Sequence, residues 1–205
     1  MKKLLKIAFY SFAVASLLSG CASSLMSPAE QTEIPSDKAV ITFYRTASFG
    51  GAIQAPIARE STAGFEFVGV SSKDTRIEDV IAPGKYTYVV GGESSNMMTA
   101  EVEAGKSYYA IVEPAMGWLK ARFHLLVQRG EDWFKASRKA STLQLVKINE
   151  EGRSWWMKNQ NSMASKLYNA KEDFNQEDSR KVMKPADGQT ITDDESLRAS
   201  APTAQ

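Results

Sequence analysis

The sequence predicts a mainly β fold, an antiparallel β-sandwich with a C-terminal α-helix and a disordered tail, and three observations carry that expectation. Residues 39–128 divide into seven or eight short runs rich in β-branched and aromatic residues, broken by turn residues every eight to twelve positions. One run, "MMTAEVE" (97–103), alternates strictly, with Met98, Ala100 and Val102 on one face and Thr99, Glu101 and Glu103 on the other. A period of two with one charged face is that of a half-buried antiparallel strand. No helical pattern long enough for βαβ units interrupts the runs.

Taken in order, "AVITFYR" (39–45) is stopped by Ser48-Phe49-Gly50-Gly51. "IQAPIAR" and "FEFVGV" follow, the first carrying Pro56, which cannot donate to a ladder and so predicts an edge or bulged strand. "RIEDVI" and "KYTYVVG" flank Ala82-Pro83-Gly84-Lys85. Pro83 and Gly84 suit the centre of a type II turn, one with φ fixed at about −65° and one with φ positive, which predicts a hairpin. After "MMTAEVE", Ala104-Gly105-Lys106 turns the chain into "SYYAIVE", and "RFHLLVQ" directs Phe123, Leu125 and Val127 inward. The expected core is Ile41, Phe43, Tyr86, Tyr88, Val102, Phe123, Leu125 and Val127.

Beyond the strands, "RSWWMKNQNSMASKLYNAKEDFNQ" (153–176) puts Trp156, Met163, Leu167 and Phe174 on one side of a helix, with Ala170 at the margin. Asn149 or Ser154 suits its N-cap, and Pro185 bars it from running far past Met183. The stripe is narrow, and isolated helices of this length are marginal in water, so the helix must lean on something. A short connection from "TLQLVKI" favours its own sandwich, with Trp155 or Trp156 anchoring the base and Leu167 and Phe174 left for a partner or a second copy. The expected organisation is a signal segment (1–20), a lipidated residue and tether (21–37), the sandwich (38–149), the helix (150–183) and the tail (184–205). The tether, "ASSLMSPAEQTEIPSD" from Ala22, is small and polar and would span about 22 Å as a flexible coil. The tail is polar and acidic, which predicts disorder.

The N-terminus carries Lys2, Lys3 and Lys6, an uncharged run from Ile7 to Leu18, then Ser19, Gly20 and Cys21. That order of basic, apolar and small residues is a secretory signal. As a helix the run would rise about 18 Å against a hydrocarbon core of about 30 Å, too little for a permanent span. A buried core cysteine does not suit a residue between Gly20 and Ala22-Ser23-Ser24. Leu18-Ser19-Gly20-Cys21 resembles the lipobox of bacterial lipoproteins. The resemblance implies cleavage between Gly20 and Cys21, a diacylglycerol on the Cys21 thiol and an acylated amine. By that family's sorting rule, Ala22 in place of Asp implies the outer membrane, on the side facing the periplasm. Two or three acyl chains hold a protein stably, since each buried methylene contributes about 0.8 kcal/mol.

The combination of "AVITFYRTASFGGA", "IAPGKYTYVV" and "VEAGKSYYAI" resembles an uncharacterised domain family common in bacterial lipoproteins. Its members look like small Ig-like sandwiches of the transthyretin-like or carboxypeptidase-regulatory-like kind. The resemblance covers about residues 38–130 and implies a fold but no activity.

Charge and motifs narrow the chemistry. Removing residues 1–20 takes away three lysines and leaves 22 basic residues against 24 acidic, which gives no reason to expect nucleic acid. With Cys21 lipidated no thiol remains for a disulfide or a cysteine metal site. His124 is the sole histidine, so no histidine cluster can hold a metal; it reads as an exposed strand residue beside Arg122, Leu126 and Gln128. There is no G-x-S-x-G, H-E-x-x-H, P-loop or G-x-G-x-x-G. Arg45, Arg59, Lys120 and Arg122 read as scattered cations that keep strand edges soluble. Most tryptophans and tyrosines read as packing residues, with Trp118 in "EPAMGWLK" the best exposed candidate. The expectation is a non-enzymatic, lipid-anchored envelope protein with no cofactor beyond its covalent lipid. It would act as a protein-interaction or structural module, contacting an envelope protein or a second copy through Trp118, Trp155, Trp156, Leu167 and Phe174. The alternative is a peptidoglycan- or glycan-binding module that uses exposed aromatics.

Overall fold

The computed structural model describes residues 23–46, 53–61, 64–92, 95–116, 121–172, 174 and 178–199, the side chain of Leu167 excepted. The fold is mainly β, with a long helix in its C-terminal part. The strands are β1 (Met26–Pro28), β2 (Ala39–Arg45), β3 (Ala55–Ser61), β4 (Gly64–Ser71), β5 (Thr75–Ile81), β6 (Gly84–Val90), β7 (Asn96–Val102), β8 (Lys106–Met116), β9 (Ala121–Gln128), β10 (Gln144–Ile148), β11 (Val182–Met183) and β12 (Gln189–Thr190). The helices are α1 (Glu131–Ser141), α2 (Glu150–Glu172) and α3 (Ile191–Ala199).

Among the described residues the strands form a seven-stranded sheet ordered β1-β10-β5-β2-β8-β12, with β9 also paired to β8, and a five-stranded sheet ordered β11-β7-β6-β3-β4. Both are mixed, which corrects the expectation of an all-antiparallel arrangement. β2 runs parallel to β8 with Phe43 opposite Ala110, β10 runs parallel to β5, and β11 runs parallel to β7. The two sheets share one core of alternate residues, Ile41, Phe43, Tyr108 and Phe123 from one and Ile57, Tyr88, Met98 and Val102 from the other. The expected core residues lie in it, with Tyr86 half-buried against its rim.

The turn at 82–83 does not close a hairpin. β5 pairs with β2 and β10, while β6 pairs with β3 and β7, so the turn carries the chain from one sheet to the other. Gly84, with φ +153°, makes that corner. Pro56 lies on β3, which is flanked by β4 and β6 and so is no edge strand; the ladder is bulged between Ile57 and Ala58.

Helices cover the outer faces. Trp133, Ala136, Ser137 and Ala140 of α1 are buried at helical spacing, against Tyr44 and Tyr109 on the outside of the seven-stranded sheet. α2 lies on the five-stranded sheet, where Ala170 meets Val89 and Met97 and Met163 is buried. Asn149 caps it, its Oδ1 accepting from the Gly152 amide at 2.9 Å. A Cβ at residue 152 would lie 2.3 Å from the Leu25 carbonyl oxygen, so only glycine lets β1 cross the helix start.

Both ends of the described chain depart from expectation. The tether is folded from Ser23 onward: β1 pairs antiparallel with β10, Met26 is in the core beside Gly69 and Ile77, and Ile34 is buried. The tail is equally ordered to Ala199. α2 spans Glu150–Glu172 and not the whole of the expected 150–183, since Ser179–Lys181 is a turn and Val182–Met183 is β11. A second turn at Pro185–Asp187 leads through β12 into α3, and Arg129 fastens the two turns by donating to the Ser179 and Val182 carbonyls and pairing with Asp187. In both cases contacts distant in sequence stabilise segments whose composition is that of linkers.

Candidate functional site

Two clefts and one buried polar network merit attention. The first cleft, about 260 Å³, lies between one flank of α2 and the sheet ends, lined by Gln54, Trp155, Asn159, Ser162, Met163 and Lys166, with Ile53 and Gly91 also on its wall. The helical repeat brings Trp155, Asn159, Ser162 and Lys166 to one flank. Asn159 Nδ2 donates to the Trp155 carbonyl at 2.8 Å, and Ser23 Oγ donates to Gln54 Oε1 at 2.8 Å, so the start of the described chain sits at the cleft. An aromatic ring, amides, a hydroxyl and an ammonium make a binding surface.

The second cleft, also about 260 Å³, is lined by Asn96, Met97, Arg122, His124, Phe174 and Lys181 among others. His124 is half-buried here, a wall residue of a cleft where an exposed strand residue was expected. Burial holds its imidazole below the ordinary value, reinforced by Lys181 and Arg180 and opposed by Glu113 and Asp178.

The network lies under α3. Asp194, 2% exposed, accepts hydrogen bonds from Ser107 and Ser137 at 2.5 Å and from Tyr109 at 2.6 Å, and pairs with Arg198 at 3.0 Å. Arg198 also pairs with Glu78 at 2.7 Å and donates to Tyr109 and Thr42. Burial alone would lower Arg198, but Tyr109, Asp194 and Glu78 outweigh it and hold the guanidinium firmly charged. Burial, opposed by Arg198 and reinforced by Asp194, pushes the Tyr109 phenol upward. These bonds tie α3 to Thr42 of β2, Glu78 of β5, Ser107 and Tyr109 of β8 and Ser137 of α1, so the cluster is a latch that holds α3 down.

The residues expected to carry function separate. Gly20, Cys21, Ala22, Trp118 and Lys120, together with the signal segment, lie outside the described residues, as does the Leu167 side chain. Trp155 and Trp156 both pack on Phe67, Trp156 stacked on it at 5.1 Å and 2°, and so anchor the helix base. Phe174 packs against the Val89, Met97 and Ala170 cluster while staying partly buried, and it also borders the second cleft. Arg45 is wholly buried, bonded to the Ile53 carbonyl and 4.7 Å from the Phe123 ring centroid, and is a core residue. Arg59 is paired with Asp79 and Glu66. Of the expected cations, Arg122 lines a cleft. Sequence reading missed α1 and the Asp194–Arg198 pair; the spacing of Trp133, Ala136, Ser137 and Ala140 carries the signal for the first, and nothing local carries it for the second.

Among the described residues no group of His, Cys, Asp and Glu could hold a metal ion, and no helix is long and apolar enough to cross a membrane. Compared with known proteins, the chain matches no protein-family model and no curated protein.

Proposed function

We propose that this chain is a lipid-anchored lipoprotein of the outer membrane, facing the periplasm, whose folded domain is a non-enzymatic protein-interaction or structural module. The order Lys2-Lys3-Lys6, Ile7–Leu18, Leu18-Ser19-Gly20-Cys21 supports the anchor. We read the two sheets as a sandwich of the Ig-like, transthyretin-like kind, a reading supported by their shared core.

The anchor is tested by Cys21→Ser. The native chain is expected in the membrane fraction after a salt wash and the variant in the soluble fraction. A variant that still sediments with the outer membrane refutes the lipid anchor.

The interaction reading is supported by the outward flank of α2. The helix docks through Met163 and Ala170 and leaves Met157 and Tyr168 65% and 67% exposed, although solvent-facing positions favour polar residues. The partner is an envelope protein or a second copy of the chain. The alternative, a glycan-binding module, is favoured by one observation: Trp155 borders a cleft beside Gln54, Asn159 and Ser162, which is the chemistry of a sugar contact. A photoreactive residue in place of Tyr168 is expected to trap a discrete protein adduct in intact envelopes. Absence of an adduct, together with binding of purified peptidoglycan that Trp155→Ala abolishes, would favour the glycan.

A further inference from the structure

The position of the membrane follows from how soon the fold begins. Ser23 is 2% exposed and bonded to Gln54. The Ser24 carbonyl accepts from Asn149 Nδ2 at 2.8 Å, and the Leu25 carbonyl accepts from the Asn149 amide at 3.2 Å. Residues 23–25 are therefore held against the first turn of α2. Cys21 stands two residues before Ser23, and each Cα–Cα step is about 3.8 Å, so its Cα is within about 7.6 Å of that of Ser23. A lipid on Cys21 has no room for a spacer.

The surface around Ser23 has the make-up of a membrane interface. Gln54 leads directly into the first cleft, whose wall carries Ile53, 42% exposed, and Trp155. Tryptophan and exposed aliphatics sit at the headgroup level of bilayers, where the indole keeps one wet and one apolar edge. Lys166 is exposed on the cleft's wall and Lys158 is exposed at the margin of that flank of α2, and among the described residues neither has a carboxylate partner. Basic side chains near a membrane surface are attracted by anionic lipid.

We infer that the cleft beside Ser23 faces the bilayer and receives phospholipid, with Ile53 and Trp155 against the interfacial region and Lys158 and Lys166 toward the phosphates. This rests on the lipid anchor proposed above. It also gives the molecule a fixed orientation, with the α2 flank bearing the cleft toward lipid and α1, on the opposite outer face, in water.

The mature lipoprotein holds one cysteine, consumed by its lipid, so a substituted cysteine is a unique thiol. Ile53→Cys, Ser162→Cys and, on α1, Phe134→Cys each accept a nitroxide without disturbing the core. The labelled, lipid-bearing proteins are placed in vesicles of phosphatidylethanolamine and phosphatidylglycerol and purified by flotation. The label's collisions with oxygen and with a water-soluble nickel chelate are then compared. Residues 53 and 162 are expected to favour oxygen and residue 134 the chelate. A protein that does not float refutes the anchor, and the inference with it. A protein that floats but has residues 53 and 162 as aqueous as 134 overturns the orientation alone, and leaves the cleft free for the glycan alternative.

Discussion

His124 shows how a single residue couples burial to pH. Its imidazole is held below the ordinary value chiefly by burial, with Lys181 adding to the effect. The unfolded chain therefore binds the proton more readily than the folded one. Stability from this residue is full above the unfolded value of about 6.5 and falls as the pH drops from there toward the folded value. His124→Gln is expected to flatten that part of the profile of urea midpoint against pH and to leave the midpoint near pH 8 almost unchanged. An unaltered acid slope would mean that other groups carry it. That His124 stands alone, and that it leaves "RFHLLVQ" on the face opposite Phe123, Leu125 and Val127, was legible in the alternation. Its partners were not, because Lys181 and Arg180 come from a segment about 57 residues away, and neither the strand's alternation nor the helix expected there says that the two meet.

At the scale of elements, α3 is the clearest case of a segment stabilised by its surroundings. Nine residues with two acids in the first turn and an arginine in the last form no stable helix alone. The helix exists because Asp194 answers three hydroxyl donors and Leu197 packs beside Tyr44 and Trp133. Asp194→Ala leaves those donors unanswered and Arg198 with only part of its pairing. Removing one partner from a buried charged set costs about 3–5 kcal/mol. The variant is expected to lower the unfolding midpoint by a corresponding amount, and a chain ending at Thr190 to lower it at least as far. Equal stability of the native and shortened chains would show that the latch contributes nothing. α2 contrasts with α3: its cap at Asn149 and its buried Met163 and Ala170 stand where the sequence pattern puts them.

For the whole molecule, the consequence is a layered body into which both ends of the described chain, from Ser23 and to Ala199, are bound. The N-terminal segment adds β1 to the edge of the seven-stranded sheet, and the C-terminal segment adds β11 to one sheet and β12 to the other before α3 closes over the outer face. Most of these pairings join residues far apart in the chain, as in Met26 with Ile148 and Gln189 with Ser107. Such contacts reward folding only after a long loop is closed, so the ends are expected to order after the central strands. With the lipid anchor proposed above, the folding of residues 23–28 against the body leaves little spacer between anchor and domain, which would turn a tether into an orientation.

By itself the sequence determined the strand-forming runs, the inward faces of β7 and β9, the start of α2 and the absence of any thiol beyond Cys21. Each of these rests on local periodicity, capping or composition. Only the tertiary structure decided which sheet each strand joins, as at the 82–83 turn, where a hairpin signal serves a crossing between sheets. It alone drew the linker-like segments 23–37 and 184–199 into the body. The physical reason is common to both: a turn or a polar stretch specifies its own backbone but not its partner. Whether Met26, Asp194 or Arg198 is buried depends on groups dozens of residues away that become neighbours only when the two sheets close on their core.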